Sequence, residues 1–191
     1  MASTAAPFGL RPAYSPSGTI RPVAMTILTG YSSNIFQFSP VAIAGDGTIT
    51  LAAAASPAVG AFMGVEWTDT DGRRRVSNKW TASTSATDIV CYVTTDPYIV
   101  YEIQGDGTGT AVQVTNIGNQ YDWTANGTSN GNTTTGLSTV GLAVSTVSTS
   151  GNNGLRLLGL APYPDNAWGD AYATLQVQIS EHQFVATIAA F

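Results

Sequence analysis

Residues 34–52 read NIFQFSPVAIAGDGTITLA. Apolar side chains alternate through Ile35, Phe36, Phe38, Val41 and Ile43, and alternate again from Ile49 to Leu51. Between the two runs lies Gly45-Asp46-Gly47-Thr48. A period of two puts alternate side chains on one face of a strand, and glycine supplies the positive φ of a tight turn. Two such runs around Asp-Gly predict a β-hairpin, with residues 42–44 antiparallel to 48–50. The same tetrapeptide returns as Gly105-Asp106-Gly107-Thr108, between YIVYEIQ (98–104) and TAVQVT (110–115). It predicts a second hairpin, with 102–104 beside 110–112. Turn chemistry alone explains the repeat.

Further strand patterns lie on both sides of these hairpins. VGAFMGVEW (59–67) reads as a buried strand, RRRVSNKW (73–80) as an exposed one and DIVCYVT (88–94) as another. Residues 137–147, LRLLGL (155–160) and YATLQVQI (172–179) continue the pattern, and 183–191 alternates less cleanly. Terminal Phe191 predicts a C-terminus tucked against protein. No helix is expected, because Pro57 stops the alanine run at 52–58. Residues 118–136 and 148–154 are near-continuous Asn, Gly, Thr and Ser, and predict long mobile loops. Residues 1–22 hold four of the nine prolines together with Phe8, Leu10, Tyr14 and Ile20. They predict an extended N-terminal arm docked on this subunit or a neighbour, and its removal should leave a folded body. Residues 23–191 then form a single β domain.

Composition agrees. The chain has 191 residues, enough for one domain, and 52 of them are Thr, Val or Ile. Such β-branched residues favour a pleated surface. Only 10% of residues are charged, against about 25% in an ordinary soluble domain. The 26 Thr and 16 Ser supply the missing surface polarity. The fold class expected is all-β, a small sandwich or barrel of short antiparallel strands.

Several functions are disfavoured. The net charge is −5 and Lys79 is the sole lysine, so neither nucleic acid nor an anionic membrane is an expected partner. No run of 18 apolar residues and no secretory leader is readable. Cys91 and His182 are each the sole residue of their kind, so disulfides and clustered imidazole or thiolate metal sites are not expected. Asp69-Thr70-Asp71-Gly72 begins like a calcium loop, but the twelfth position is Trp80 rather than an acid, which leaves a hairpin turn. His182 and Glu181 are neighbours, which on a strand point to opposite faces, so a surface or interface histidine is expected. Nucleophile-elbow and phosphate-loop patterns are absent. No enzyme activity and no cofactor are expected. The acceptor patterns at Asn126 and Asn132 are discounted for want of a secretion signal.

Two groups of side chains are candidates for contact. Arg73, Arg74 and Arg75 are either solvated charge on an edge strand or anchors for an acidic partner. Trp67, Trp80, Trp123 and Trp168 could form a sugar platform, but core packing is the expectation. Trp168 lies in a Pro/Gly-rich turn and is expected to pack beneath it, with Asp165 or Asp170 bonding turn amides. Its loss should then cost about 3–5 kcal/mol.

Two segments carry a resemblance. Ala6-Pro7-Phe8-Gly9-Leu10-Arg11-Pro12 resembles an N-terminal signature of small virion proteins of tailed bacteriophages. Asp165-Asn166-Ala167-Trp168-Gly169-Asp170-Ala171-Tyr172 resembles a segment near the C-terminus of similar proteins. The resemblance implies a capsid decoration, or cement, protein: an all-β structural protein on the outer surface of the virion, made in the bacterial cytoplasm. It implies a homo-oligomer, a trimer above all. It also implies an arm that bridges neighbouring major capsid subunits through Phe8, Leu10, Arg11 and Tyr14. The alternative is a head-fibre, tail or surface module recognising host glycans.

Overall fold

The computed structural model describes residues 4–186, so the expectation for Phe191 lies outside the described residues. In chain order the strands are β1 (Arg11–Tyr14), β2 (Pro22–Met25), β3 (Pro40–Ile43), β4 (Ile49–Leu51), β5 (Gly60–Asp69) and β6 (Arg74–Ser77). They continue as β7 (Ala86–Thr94), β8 (Val100–Gln104), β9 (Gln120–Trp123), β10 (Leu142–Ser148), β11 (Leu155–Leu160) and β12 (Thr174–Ile179). The fold is all-β: two antiparallel sheets of six strands, a β-sandwich. The first sheet runs β1-β8-β12-β11-β9-β10. The second runs β2-β7-β5-β3-β4, with β6 also paired to β5.

The first expected hairpin forms in the expected register, with Ala42 opposite Thr50 and Ile43 opposite Ile49. The Asp46 carboxylate closes the turn by accepting from the backbone N–H and the hydroxyl of Thr48. Asp106 and Thr108 make the same two bonds, yet the second hairpin does not form. A strand has two edges, and those of β8 are taken by β1 and β12. Residues 110–113 therefore leave the sheet, and Val114–Asn116 form a 3-10 turn. The second turn serves distant strands instead: Gly105 N–H donates to Ala173 C=O, and Asp106 N–H to Leu142 C=O.

Two further expectations are corrected. The stretch 118–136 is not one loop, because Gln120–Trp123 are paired with β10 and β11. The remainder is tied to the second sheet, where the Asn126 amide donates to the carbonyls of Pro40 and Ala52. Residues 4–22 are docked on this subunit, one of the two expected seats, but not as an arm apart from the body. This segment supplies β1 to the first sheet and enters β2 of the second, so the expected boundary at 22/23 falls inside a strand. Leu10 is 0% exposed and belongs to the core that it shares with Tyr101, Val140, Leu155 and Leu175. A second core gathers Ile35, Phe62, Val65, Trp80, Cys91 and Val93. Between the sheets, Thr94 of β7 and Tyr101 of β8 share a buried hydroxyl–hydroxyl bond of 3.0 Å.

Candidate protein-binding site

The N-terminal signature is built around Gly9, whose φ of +82° is left-handed. A Cβ at Gly9 would lie 2.3 Å from the Phe38 carbonyl oxygen. That close approach lets Leu10 N–H donate to Phe38 C=O while Gly9 N–H donates to Val140 C=O. Phe38 itself holds φ +69°, a costly conformation for an aromatic residue that presents its carbonyl to the incoming chain. Ahead of this point, the Gln104 amide accepts from Ala6 N–H and donates to Thr4 C=O.

Arg11 sits opposite Glu102 across β1 and β8. Its guanidinium donates to Glu102 Oε2 at 2.5 Å and to Tyr163 Oη at 2.8 Å. Tyr163 Oη in turn donates to Glu102 Oε2 at 2.7 Å. The same guanidinium lies 4.5 Å from the centre of the Phe8 ring. Glu102 is 7% exposed, so a charge this deep needs the paired cation and hydroxyl. Its hydrogen bond, followed by partial burial, raises the Tyr163 phenol above the ordinary tyrosine range. Tyr14, at the far end of β1, is 49% exposed.

The C-terminal motif comes to the same place. Asn166 clamps it: its amide donates to the carbonyls of Ala161 and Thr174, and its Oδ1 accepts from Thr174 N–H. Of the two aspartates expected to cap the turn, Asp170 accepts from Ala167 N–H at 3.1 Å. The Trp168 ring packs half-buried against the first core. The Tyr172 ring covers the second GDGT turn, where a Cβ on Gly107 would lie 2.6 Å from it. A cleft lined by Thr4, Gln104, Tyr163, Asp165, Asn166 and Tyr172 joins the two motifs. Two segments about 150 residues apart thus form one patch. The sequence gives no sign of Glu102, Gln104 or Tyr163, because each acts through a partner remote in the chain; Asn166 is visible in the C-terminal motif, but its clamp on Ala161 and Thr174 is not.

Asn166→Ala should lower stability by about 2–4 kcal/mol, since three backbone groups lose their partner. Trp168→Ala should cost about 1–3 kcal/mol, below the figure for a fully buried tryptophan. Urea midpoints measure both.

Arg73, Arg74 and Arg75 lie on the other sheet, on the β5–β6 hairpin, and their own chain neutralises them. Arg74 reaches Glu66 at 3.3 Å and donates to Asp88 C=O. Arg75 bridges Asp69 and Asp71, both at 3.2 Å, and Arg73 approaches Asp71 at 3.6 Å. Of the two alternatives, this arrangement fits exposed charge on an edge strand, with the carboxylates of the same hairpin region as its partners. Asp69 to Gly72 form the expected hairpin turn, with Gly72 N–H donating to Asp69 C=O.

The remaining reactive groups are buried. Cys91 is fully buried and its thiol is pushed up to about 12 by desolvation. His182 is 2% exposed within its own chain, which corrects the expected surface or interface histidine. The chain around it bridges Ala58 and is sealed by Gln183, whose side chain bonds both backbone groups of Ile43. Desolvation holds the imidazole below its ordinary 6.5, outweighing the opposing pull of the Val59 and Thr95 backbones and of Asp96. The unfolded chain therefore binds this proton first as pH falls, and stability present above pH 6.5 is lost below it. Glu181, raised by burial, works in the opposite direction. Thermal midpoints at pH 7.5 and about 5.5 should fall further for the wild type than for His182→Gln, in which Glu181 is unchanged.

No three or more His, Cys, Asp or Glu side chains are placed to hold a metal ion among the described residues. No helix among them is long and apolar enough to cross a membrane. Trp80 and Trp123 are fully buried, and Trp67 packs edge-on to Trp80 at 5.8 Å. Comparison with protein-family models, curated proteins and solved structures finds no match to this chain.

Proposed function

We propose that the protein is a structural component of a tailed-phage virion that decorates the outside of the capsid and bridges neighbouring major capsid subunits. The observation that carries this reading is the convergence of the two phage-like motifs on one patch, organised by Arg11, Glu102 and Tyr163. Arginine and aromatic side chains held on rigid strands are the usual anchors of protein interfaces. Here Phe8, Arg11 and Tyr163 are held by β1, by the buried Glu102 and by the turn that Asn166 clamps. Repetition over a symmetric shell multiplies a modest contact by avidity. The contact surface is the seated N-terminal segment together with the C-terminal turn, rather than a free arm. A glycan-recognising module would rest on exposed tryptophans, and here those side chains pack inward.

The test is add-back to shells depleted of the protein. Phe8→Ala with Tyr163→Ala should reduce shell occupancy at least tenfold while retaining a cooperative unfolding transition. Equal occupancy by the double variant and the wild type would remove the patch from the interface.

A further inference from the structure

β6 pairs with β5 along one edge, and no strand pairs with its other edge among the described residues. Asp69 N–H donates to Arg73 C=O at the start of this ladder. Antiparallel pairs alternate between bonded and non-bonded, so the backbone groups of Arg75 and Ser77 face β5. Those of Arg74 and Val76 face the open edge. Proline, which would block an edge by removing its N–H, is absent from β6. Val76 is 79% exposed beside a shallow groove formed with Met63, Gly64, Glu66 and Tyr92.

Arginines on an edge ordinarily repel a second strand. Here three arginines are balanced by Glu66, Asp69 and Asp71 within 4 Å, so the edge can meet its own copy without net repulsion. We propose that the β6 edge pairs antiparallel with β6 of a second copy, with Arg74 opposite Val76 and Arg75 at the twofold axis. Both hydrogen-bonding residues then face their partners' open groups. At the twofold axis two Arg75 side chains meet, each already bridged to Asp69 and Asp71 of its own copy, so a neutralised cation faces a neutralised cation. A shift of two residues would set Arg74 or Val76 opposite itself and leave the other opposite a residue outside β6. The contact yields a twofold dimer with a sheet continuous across both copies, and it does not depend on the capsid reading.

Sedimentation of the full chain across a concentration series tests it together with two variants. Val76→Pro removes an outward N–H without touching the β5 ladder and should weaken the dimer at least tenfold. Arg75→Cys places a thiol opposite its own symmetry mate, at a Cα separation of about 4.5 Å that a disulfide can span. Mild oxidation should therefore give a covalent dimer. Arg73→Cys, which faces Ser77 of the second copy, should not cross-link. Cys91 is buried and does not compete. A wild type monomeric at all concentrations would overturn the proposal. So would an oligomer, a trimer included, that withstands Val76→Pro and in which Arg75→Cys gives no covalent dimer.

Discussion

Gly60→Ala is expected to leave no cooperatively folded protein. A Cβ at this position would lie 1.6 Å from the Thr94 carbonyl oxygen and 2.7 Å from its carbon, distances no side-chain movement can relieve. The backbone must move instead, and Thr94 is fully buried. Its hydroxyl accepts from Ala61 N–H and meets Tyr101 between the sheets, so displacing it opens both the β5–β7 ladder and the contact with β8. A cost above about 4 kcal/mol is large against a domain's total of about 5–15 kcal/mol. Gly64→Ala is the comparison: Gly64 holds the same φ of +155°, which strains any L side chain, but its Cβ would stand 3.2 Å from Ser77 C=O, so the strain comes without the collision. Urea unfolding should show a lowered but still cooperative transition for Gly64→Ala and none for Gly60→Ala. A Gly60→Ala midpoint equal to wild type would show that the two strands do not approach in this way.

Loss of the N-terminal segment is expected to be nearly as damaging. Deleting residues 2–20 removes β1, opens the edge of β8 and takes Leu10 out of the first core. Leu10→Ala alone should cost about 2–5 kcal/mol, the range for truncating a buried leucine. Gly9→Ala should act at the same seat, where its Cβ would meet the Phe38 carbonyl. The deletion should therefore give a chain that lacks a sharp unfolding transition. A deleted chain with the wild-type midpoint would restore the picture of a free arm on an independent body.

Local signals in the sequence were legible and competitive ones were not. The β3–β4 hairpin follows from alternation and an Asp-Gly turn, all within about a dozen residues. The second GDGT makes the same turn, but the partner of β8 was decided by β1 and β12, which lie far off in the chain. Period-two alternation tells which face a side chain takes, not how deeply the sheet lies, so His182 was misjudged. Among the site residues, Phe8 and Arg11 were visible as part of a motif. Glu102 and Tyr163 were not, because an ion pair across 91 positions leaves no spacing to read. The arginine run was visible as charge, while its neutralisation depended on the hairpin bringing Asp69 and Asp71 alongside.

On the proposed reading, this chain is bound to a capsid surface in a fixed arrangement. The most direct test is the copy number of the protein relative to the major capsid protein in purified virions, measured by quantitative mass spectrometry. The account predicts a constant ratio set by the lattice, unchanged through density-gradient purification, with the protein removed before the shell proteins when particles are gently denatured. A protein found free in the lysate and absent from purified particles would contradict it.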